Sequence, residues 1–295
     1  LDAMCLLLGQ DESAAAYAER LRCLRRNIDR LDAELQNAGH YAVEDVRVEA
    51  KQRIPAVLFG EVDAVTQYLY GFRVDWVPGF FINPRFSLLF GGCAYYFYPD
   101  FFALFIVRRA FAERQHWLIY SRRELLAHEL CHVARIALGS QVFEELFAYQ
   151  TAASPFRRVA GSVFRGPKDA FLLLGSTFLL LAAQVMRTVL LPALPILPFW
   201  LLVGAAGGVL ACRLARLHRI FAKAVTHAAW FAPENPRAVL FRCTDEEVQE
   251  LAGMAGPDAA RDWLQDRKRQ SLRWQVIARR FCTAPAGDAT RVPGT

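Results

Sequence analysis

Residues 125–135 read Leu-Leu-Ala-His-Glu-Leu-Cys-His-Val-Ala-Arg, which sets His128, Glu129 and His132 in the spacing His-Glu-x-x-His. On an α-helix, positions four apart project from one face, so His128 and His132 can reach a single metal ion. Glu129, beside the first histidine, puts a carboxylate where it can act on a water molecule at that ion. Zinc held by two histidines needs a third protein ligand and one open position. The next carboxylates are Glu144 and Glu145, twelve and thirteen residues past His132. Gly139-Ser140 ends the first helix and turns the chain, so a second helix over 143–151 can fold back and present a glutamate from an antiparallel element. On spacing alone either glutamate can be the ligand. The other would orient a histidine through its free ring nitrogen or stand in solvent.

Neighbouring side chains divide by direction. Tyr149 lies four residues past Glu145 on the same helical face, where it can donate a hydrogen bond to a developing oxyanion or simply pack. Cys131 points to another side of its helix from the histidines and is read as packing. Arg135 is either a partner of the site's carboxylates or a solvated cation. His40, His116, His218 and His227 have no metal spacing and are read as surface or interface residues.

The elements that must hold these residues are legible in outline. Ser121 with Glu124 three residues on reads as a capping box opening the histidine helix, and no glycine or proline interrupts it before Gly139. A β-type run, 117–120, comes directly before. Further upstream, 12–36 is an amphipathic helix with Ala16, Leu21, Leu24, Ile28, Leu31 and Leu35 along one side, and 54–70 is helical. Residues 92–98 and 101–110 flank Pro99-Asp100 as a hairpin. The apolar run 80–90 is interrupted by Asn83, Pro84 and Arg85, so it reads as an interfacial or cleft-lining segment rather than a span. After the middle of the chain, Thr244-Asp245-Glu246-Glu247 is a capping box, and Pro257 opens a helix running to about Phe281. Trp263, Leu264, Leu272, Trp274 and Ile277 supply that helix's buried side.

Here the sequence resembles the gluzincin zinc metallopeptidases, in which His-Glu-x-x-His is followed by a glutamate on a second helix. The run Glu144-Glu145-Leu146-Phe147-Ala148 is similar to the glutamate helix of gluzincin aminopeptidases. The resemblance covers roughly residues 115–152. It implies that His128, His132 and Glu145 hold Zn2+, that Glu129 is the general base, and that a peptide or protein is the substrate. Two features depart from the group: the gap after His132 is short, and no Gly-Met exopeptidase motif is present. Aminopeptidase specificity is therefore not carried over. Residues 91–98 are the candidate edge strand for pairing with an extended peptide.

The rest of the chain points to a membrane. Of 295 residues, 54% are hydrophobic and 22% charged, which excludes a disordered chain. The mean hydropathy of +0.17 is high, and its source is 170–212, where Arg187 is the one charged residue. That stretch is long enough for two spans, near 170–190 and 194–213, broken at Pro192, Pro195 and Pro198. Gly204 and Gly208 give the second span a spacing that lets two helices approach closely. Arg157, Arg158, Arg165 and Lys168 precede the first span, and Arg213, Arg216, Arg219 and Lys223 follow the second. By the positive-inside rule both flanking parts are cytoplasmic. These charges account for a net charge of +6 through contact with anionic lipid.

The seven cysteines are spread out with no C-x-x-C pair, so a reducing compartment is expected. The apolar run 5–9 is too short, and lacks the basic lead, for a signal peptide. Arg22, Arg25 and Arg26 are neutralised by Asp29, Asp32 and Glu34, so no nucleic acid is expected as a partner.

The expected protein is thus an α+β chain in three parts. Residues 1–165 form a zincin-like metallopeptidase domain with a small antiparallel sheet, 166–215 a transmembrane helical hairpin, and 216–295 a helical cytoplasmic region. Its expected activity is zinc-dependent hydrolysis of peptide bonds. The alternatives are a non-catalytic metal site and an intramembrane metalloprotease. Arg122, Arg123 and Glu124, abutting the motif, make a bilayer position for that helix expensive.

Overall fold

Side-chain caps open some of the helices, and glycines in the left-handed region close others. The computed structural model describes residues 1–43, 46–74, 76–83, 91–97, 102–118 and 120–282. Ser13 Oγ accepts a hydrogen bond from Ala16 N–H at 3.2 Å and opens α1 (Ala14–Ala38), which closes at Gly39 with φ 73°. Leu24, Leu31 and Leu35 form its buried stripe, whereas Ala16 is exposed, so the apolar side is shorter than the periodicity predicts. On its exposed face Arg22 and Arg26 pair with Glu19, and Arg25 with Asp29. The stripe packs on a hairpin of β1 (His40–Val43) and β2 (Val46–Glu49). Next comes α2 (Ala56–Tyr70), ended by Gly71 at φ 67°.

The principal sheet is mixed rather than antiparallel as expected. Its strands β3 (Gly79–Ile82), β4 (Gly92–Phe97) and β5 (Phe102–Arg108) lie in the order β3-β5-β4, with β3 parallel to β5 and β4 antiparallel. The difference arises because the start of the apolar run at 80–90 is a core strand: Phe80 and Phe81 are buried. Residues 84–90 and the turn at Pro99-Asp100 lie outside the described residues. A short α3 (Ala110–Glu113) follows. The run 117–120 is not one strand but parts of two arms, β6 (His116–Trp117) and β7 (Tyr120–Ser121), paired antiparallel. Leu118, at φ 51°, turns the chain between them.

Beyond these lie α4 (Arg122–Arg135), α5 (Glu144–Tyr149), α6 (Pro155–Ala160), α7 (Pro167–Val189), α8 (Leu197–Ala228), α9 (Pro236–Leu240), α10 (Asp245–Ala252), α11 (Pro257–Gln270) and α12 (Leu272–Phe281). Thr244 and Glu247 form both arms of the expected capping box. The single helix expected from Pro257 to Phe281 is two, because Ser271 is extended.

α7 and α8 are each long and apolar enough to cross a membrane, and they pack against each other. Ser176, Leu180 and Ala183 are buried on α7, and Ala206 and Leu210 on α8. Gly204 and Gly208 do not make the helix contact their spacing suggests: both are exposed, and a side chain at either would meet nothing within 4 Å. The outward surface is apolar, with Phe171 73% and Phe178 68% exposed. At the base, Arg213 donates to both carboxylate oxygens of Asp169, at 2.8 and 2.6 Å.

α8 runs well past the expected end at 213. Leu217, Phe221, Ala224 and Ala228 enter the same hydrophobic core as Leu126, Leu130 and Phe147, and so do Phe241, Val248 and Trp274. Tyr70 O–H donates to the Phe147 carbonyl at 2.6 Å while its ring stacks on Phe241 at 4.2 Å. The core therefore joins the two parts drawn from the sequence as 1–165 and 216–295.

Candidate metal centre

α4 is fixed in rotation by what it buries. Leu126, Ala127, Leu130, Cys131, Val133 and Ala134 all lie in the core, which leaves the face of His128 and His132 toward a cleft. Cys131 is packing, as its direction on the helix implies. Ser121 occupies the N-cap position but makes no side-chain cap. Glu124 does not complete a capping box either: it accepts from Ala153 N–H at 2.8 Å and pairs with Arg157. Arg122 is buried, donating to the Phe111 carbonyl and to Glu61, each at 2.9 Å.

The two imidazoles meet with Nε2 atoms 3.1 Å apart. The Glu145 carboxylate lies 3.6 Å from each of those nitrogens. His128, His132 and Glu145 thus form a group that could hold a metal ion, with all donor atoms within 4.8 Å of one another. A tetrahedral ion with ligands at about 2.0–2.2 Å separates its donors by roughly 3.3–3.5 Å, so the spacing suits a zinc-sized ion. Both glutamates are used, in different ways. Glu144 accepts from His132 Nδ1 at 3.2 Å and from Arg135 Nε at 2.8 Å. A carboxylate at Nδ1 fixes the proton there and turns the lone pair of Nε2 toward His128 and Glu145.

Arg135 is not solvated. It is fully buried, lies 4.2 Å over the Phe147 ring, and donates to the Phe241 carbonyl, to Ser140 Oγ at 2.7 Å and to the Cys243 carbonyl at 3.4 Å. Ser140 O–H in turn donates to Asp245 at 2.5 Å, and Asp245 also accepts from the backbone N–H groups of Gln141, Val142 and Phe143 at 2.7, 2.8 and 3.2 Å. The turn joining α4 to α5 is therefore clamped by the first residue of α10, about a hundred residues away. Burial raises the Asp245 carboxyl, but these hydrogen bonds outweigh it and hold the group below the usual aspartate range.

The electrostatics describe a pocket rich in negative charge. Burial pushes the Glu129 carboxyl up to about 7, with Glu145 adding to the rise while His132 and the Ala94 N–H oppose it. Burial, and then Glu144, also raise Glu145. Burial lowers His132, yet its contacts with Glu144, Glu129 and Glu145 win and drive it up to about 9. Burial and the neighbouring His132 hold His128 well below its ordinary value. A divalent cation would balance this excess of carboxylate.

A cleft of about 280 Å³ opens onto His128 and Glu129, with Gly92, Tyr149 and Arg157 among its walls. Arg108 N–H bonds the Gly91 carbonyl, so in the antiparallel register the odd residues of β4 face β5, and Gly92, Ala94 and Tyr96 turn their backbone groups the other way. Ala94 N–H reaches the Glu129 carboxylate. β4 approaches α4 closely because Gly92 has no side chain: a Cβ there would stand 2.9 Å from the Ile106 carbonyl and 3.2 Å from Leu125. The Tyr149 ring meets His128 edge-on, with centroids 4.6 Å apart. Gly161 leaves it that space, since a Cβ there would fall 2.2 Å from the tyrosine ring.

The other histidines serve locally. His218 donates to the Val159 carbonyl and His227 to that of Leu251, His40 contacts the Ala38 carbonyl, and His116 is exposed. Sequence reasoning missed Glu124 with Arg157 at the cleft wall and Asp245 behind the turn. Glu124 offered a false capping signal, Arg157 read only as a membrane flank, and nothing local to Asp245 records a partner so distant. The chain matches no protein-family model, no curated protein and no solved structure in the comparisons made.

Proposed function

We propose that this chain is a membrane-anchored, zinc-dependent peptidase with a zincin-like catalytic domain on the cytoplasmic side. One observation carries the reading: two Nε2 atoms 3.1 Å apart, one carboxylate 3.6 Å from both, and a second, buried carboxylate, Glu129, in the same cleft. Two imidazole nitrogens and a carboxylate oxygen are a donor set zinc takes, with room left for a reacting group. When bound, zinc would supply Lewis-acid polarisation and make hydroxide available near neutral pH.

The chain's own residues supply the rest. Glu129 takes a proton from the attacking water and hands it to the leaving amine. Its contact with Ala94 N–H holds that carboxylate against β4. Tyr149, locked against His128 by Gly161, is positioned to donate its phenolic O–H to negative charge developing on the substrate carbonyl. β4 offers backbone groups at Gly92 and Tyr96 on its side away from β5, which suits main-chain pairing with an extended peptide. α4 lies in the mixed domain, outside the two candidate spans, which favours a membrane-anchored over an intramembrane site. The concentration of arginine and lysine at the domain end of the hairpin supports a cytoplasmic orientation.

The decisive experiment is Glu129→Gln in detergent-purified protein. Metal analysis should find one zinc per chain in both forms, while casein cleavage falls by roughly 10²–10⁴-fold in the variant. Zinc-loaded wild type with no cleavage of any polypeptide would leave a non-catalytic metal site instead.

A further inference from the structure

The short segment between α5 and the hairpin has a composition the metal site does not explain. α6 exposes Phe156 (76%) and Val159 (53%), and Phe164 beyond it is 40% exposed. Arg158, Arg165 and Lys168 are interleaved with them. A helix of six residues that shows phenylalanine and valine to the outside is costly in water and favourable in the interfacial layer of a bilayer.

Its depth can be worked out from α8. The apolar part of the hairpin ends at the Asp169–Arg213 pair. The Val159 carbonyl accepts from His218 Nε2 at 3.0 Å. His218 is five residues past Arg213, so α6 is held about 8 Å below that pair, at 1.5 Å per residue. The polar layer on each side of a bilayer is about 5–8 Å thick. α6 therefore lies at headgroup depth when the hairpin crosses. The same segment walls the cleft: Arg157 of α6 lines it together with Thr151, Ala152, Tyr149 and Gly92.

From this placement we infer that residues 154–166 rest in the headgroup layer of an anionic bilayer, and that the cleft takes its substrate at the membrane surface, as the juxtamembrane stretch of a membrane-anchored polypeptide. The surface placement needs only the hairpin to cross. The substrate class also rests on the peptidase reading above.

The test uses the full chain in nanodiscs of phosphatidylcholine mixed with phosphatidylglycerol. A photo-crosslinking amino acid is placed at Phe156, at Val159 or at Tyr68. Tyr68 is 86% exposed and lies beside residues 234–237, beyond the far end of α8. Lipid adducts at 156 and 159 but not at 68 are expected. Adducts no more frequent at 156 than at 68 would overturn the placement.

In a second arm, one reporter peptide sequence is supplied free in solution and tethered to lipid by a short linker. Confinement to one surface should favour the tethered form by on the order of 100-fold. The double variant Phe156→Asp, Val159→Asp should lose that preference and keep cleavage of the free peptide. Equal cleavage of both forms by wild type would overturn the substrate class. Cleavage of neither, with the adducts intact, would overturn the peptidase reading and leave the surface placement standing.

Discussion

The two halves of α8 are made of similar residues and stand in opposite surroundings. From Leu197 to about Arg213 the helix is apolar all round and exposes Leu197, Trp200, Leu201 and Val209. From Leu217 to Ala228 it is apolar on one side, buries Leu217, Phe221, Ala224 and Ala228, and turns Arg216, Arg219 and Lys223 outward. A helix apolar on every side needs an apolar solvent, whereas one with a single apolar stripe needs only a core. The change occurs within one continuous helix at Arg213, so the candidate membrane span and the domain core are mechanically one element. The domain half also encloses charge: Arg135, Arg242 and Arg273 are buried and bonded to carboxylates and carbonyls. The hairpin half has no such network to satisfy.

The largest effect should follow from separating the halves. Asp169 and Arg213 touch at the base, so residues 170–212 can be replaced by a short Gly/Ser linker without moving either flank. The product should be monodisperse in detergent-free buffer and keep its metal stoichiometry, by size exclusion and metal analysis. A product that still demands detergent, or has lost the metal, would break the division at Arg213.

Within the domain, Arg135 is the most costly side chain to remove. Arg135→Met leaves the half-buried Glu144 without its guanidinium partner and the Phe241 and Cys243 carbonyls without that donor. Losing one partner of a buried pair costs about 3–5 kcal/mol, read as a fall in Tm. The double variant with Glu144→Gln should recover part of that loss, because the uncompensated charge is gone. Equal stabilities for the single and double variants would show that Arg135 serves the carbonyls alone.

How much of this was legible follows the same division. The two long helices could be seen in the sequence because length and continuous apolarity alone mark a candidate span. His128 and His132 were legible because helix geometry ties spacing to direction, whereas spacing left Glu144 and Glu145 equal and only the resemblance singled out Glu145. The clamp was not: Arg135, Ser140 and Asp245 converge from two segments about a hundred residues apart, and nothing local to any of them records the others. β3 was missed for a related reason. Its parallel partner is more than twenty residues downstream, and a short apolar run looks the same in a core strand as at an interface. Gly204 and Gly208 misled in the opposite sense, since small residues permit close helix approach without enforcing it.

A medium effect is expected at the clamp itself. Asp245→Asn keeps the shape but sets an amide N–H₂ against the N–H groups of residues 141–143, at a cost of about 1–3 kcal/mol. The native carboxyl titrates below its ordinary value near 3.8. A lowered value in the folded state means the stabilisation is complete above about pH 4 and is lost as pH falls through the folded value. The Tm gap between wild type and Asp245→Asn should therefore be constant near neutrality and narrow below about pH 4. A gap that stays constant down to pH 3 would mean the loss is steric rather than electrostatic.

The smallest effect should be at the hairpin base, although its ion pair looks as good as any in the core. Arg213 grips both oxygens of Asp169, yet its side chain is 36% exposed, against 0% for Arg135. At the boundary between hydrocarbon and headgroups, solvent and salt screen the pair, and Asp169→Asn should cost no more than about 1 kcal/mol. Thermal unfolding of the nanodisc-embedded protein at low and high salt measures this directly. The small cost should shrink further at high salt. A cost as large as that of Arg135→Met, insensitive to salt, would place the pair inside the hydrocarbon. The boundary between the two halves of α8 would then move toward His218, carrying α6 and the mouth of the cleft deeper into the membrane.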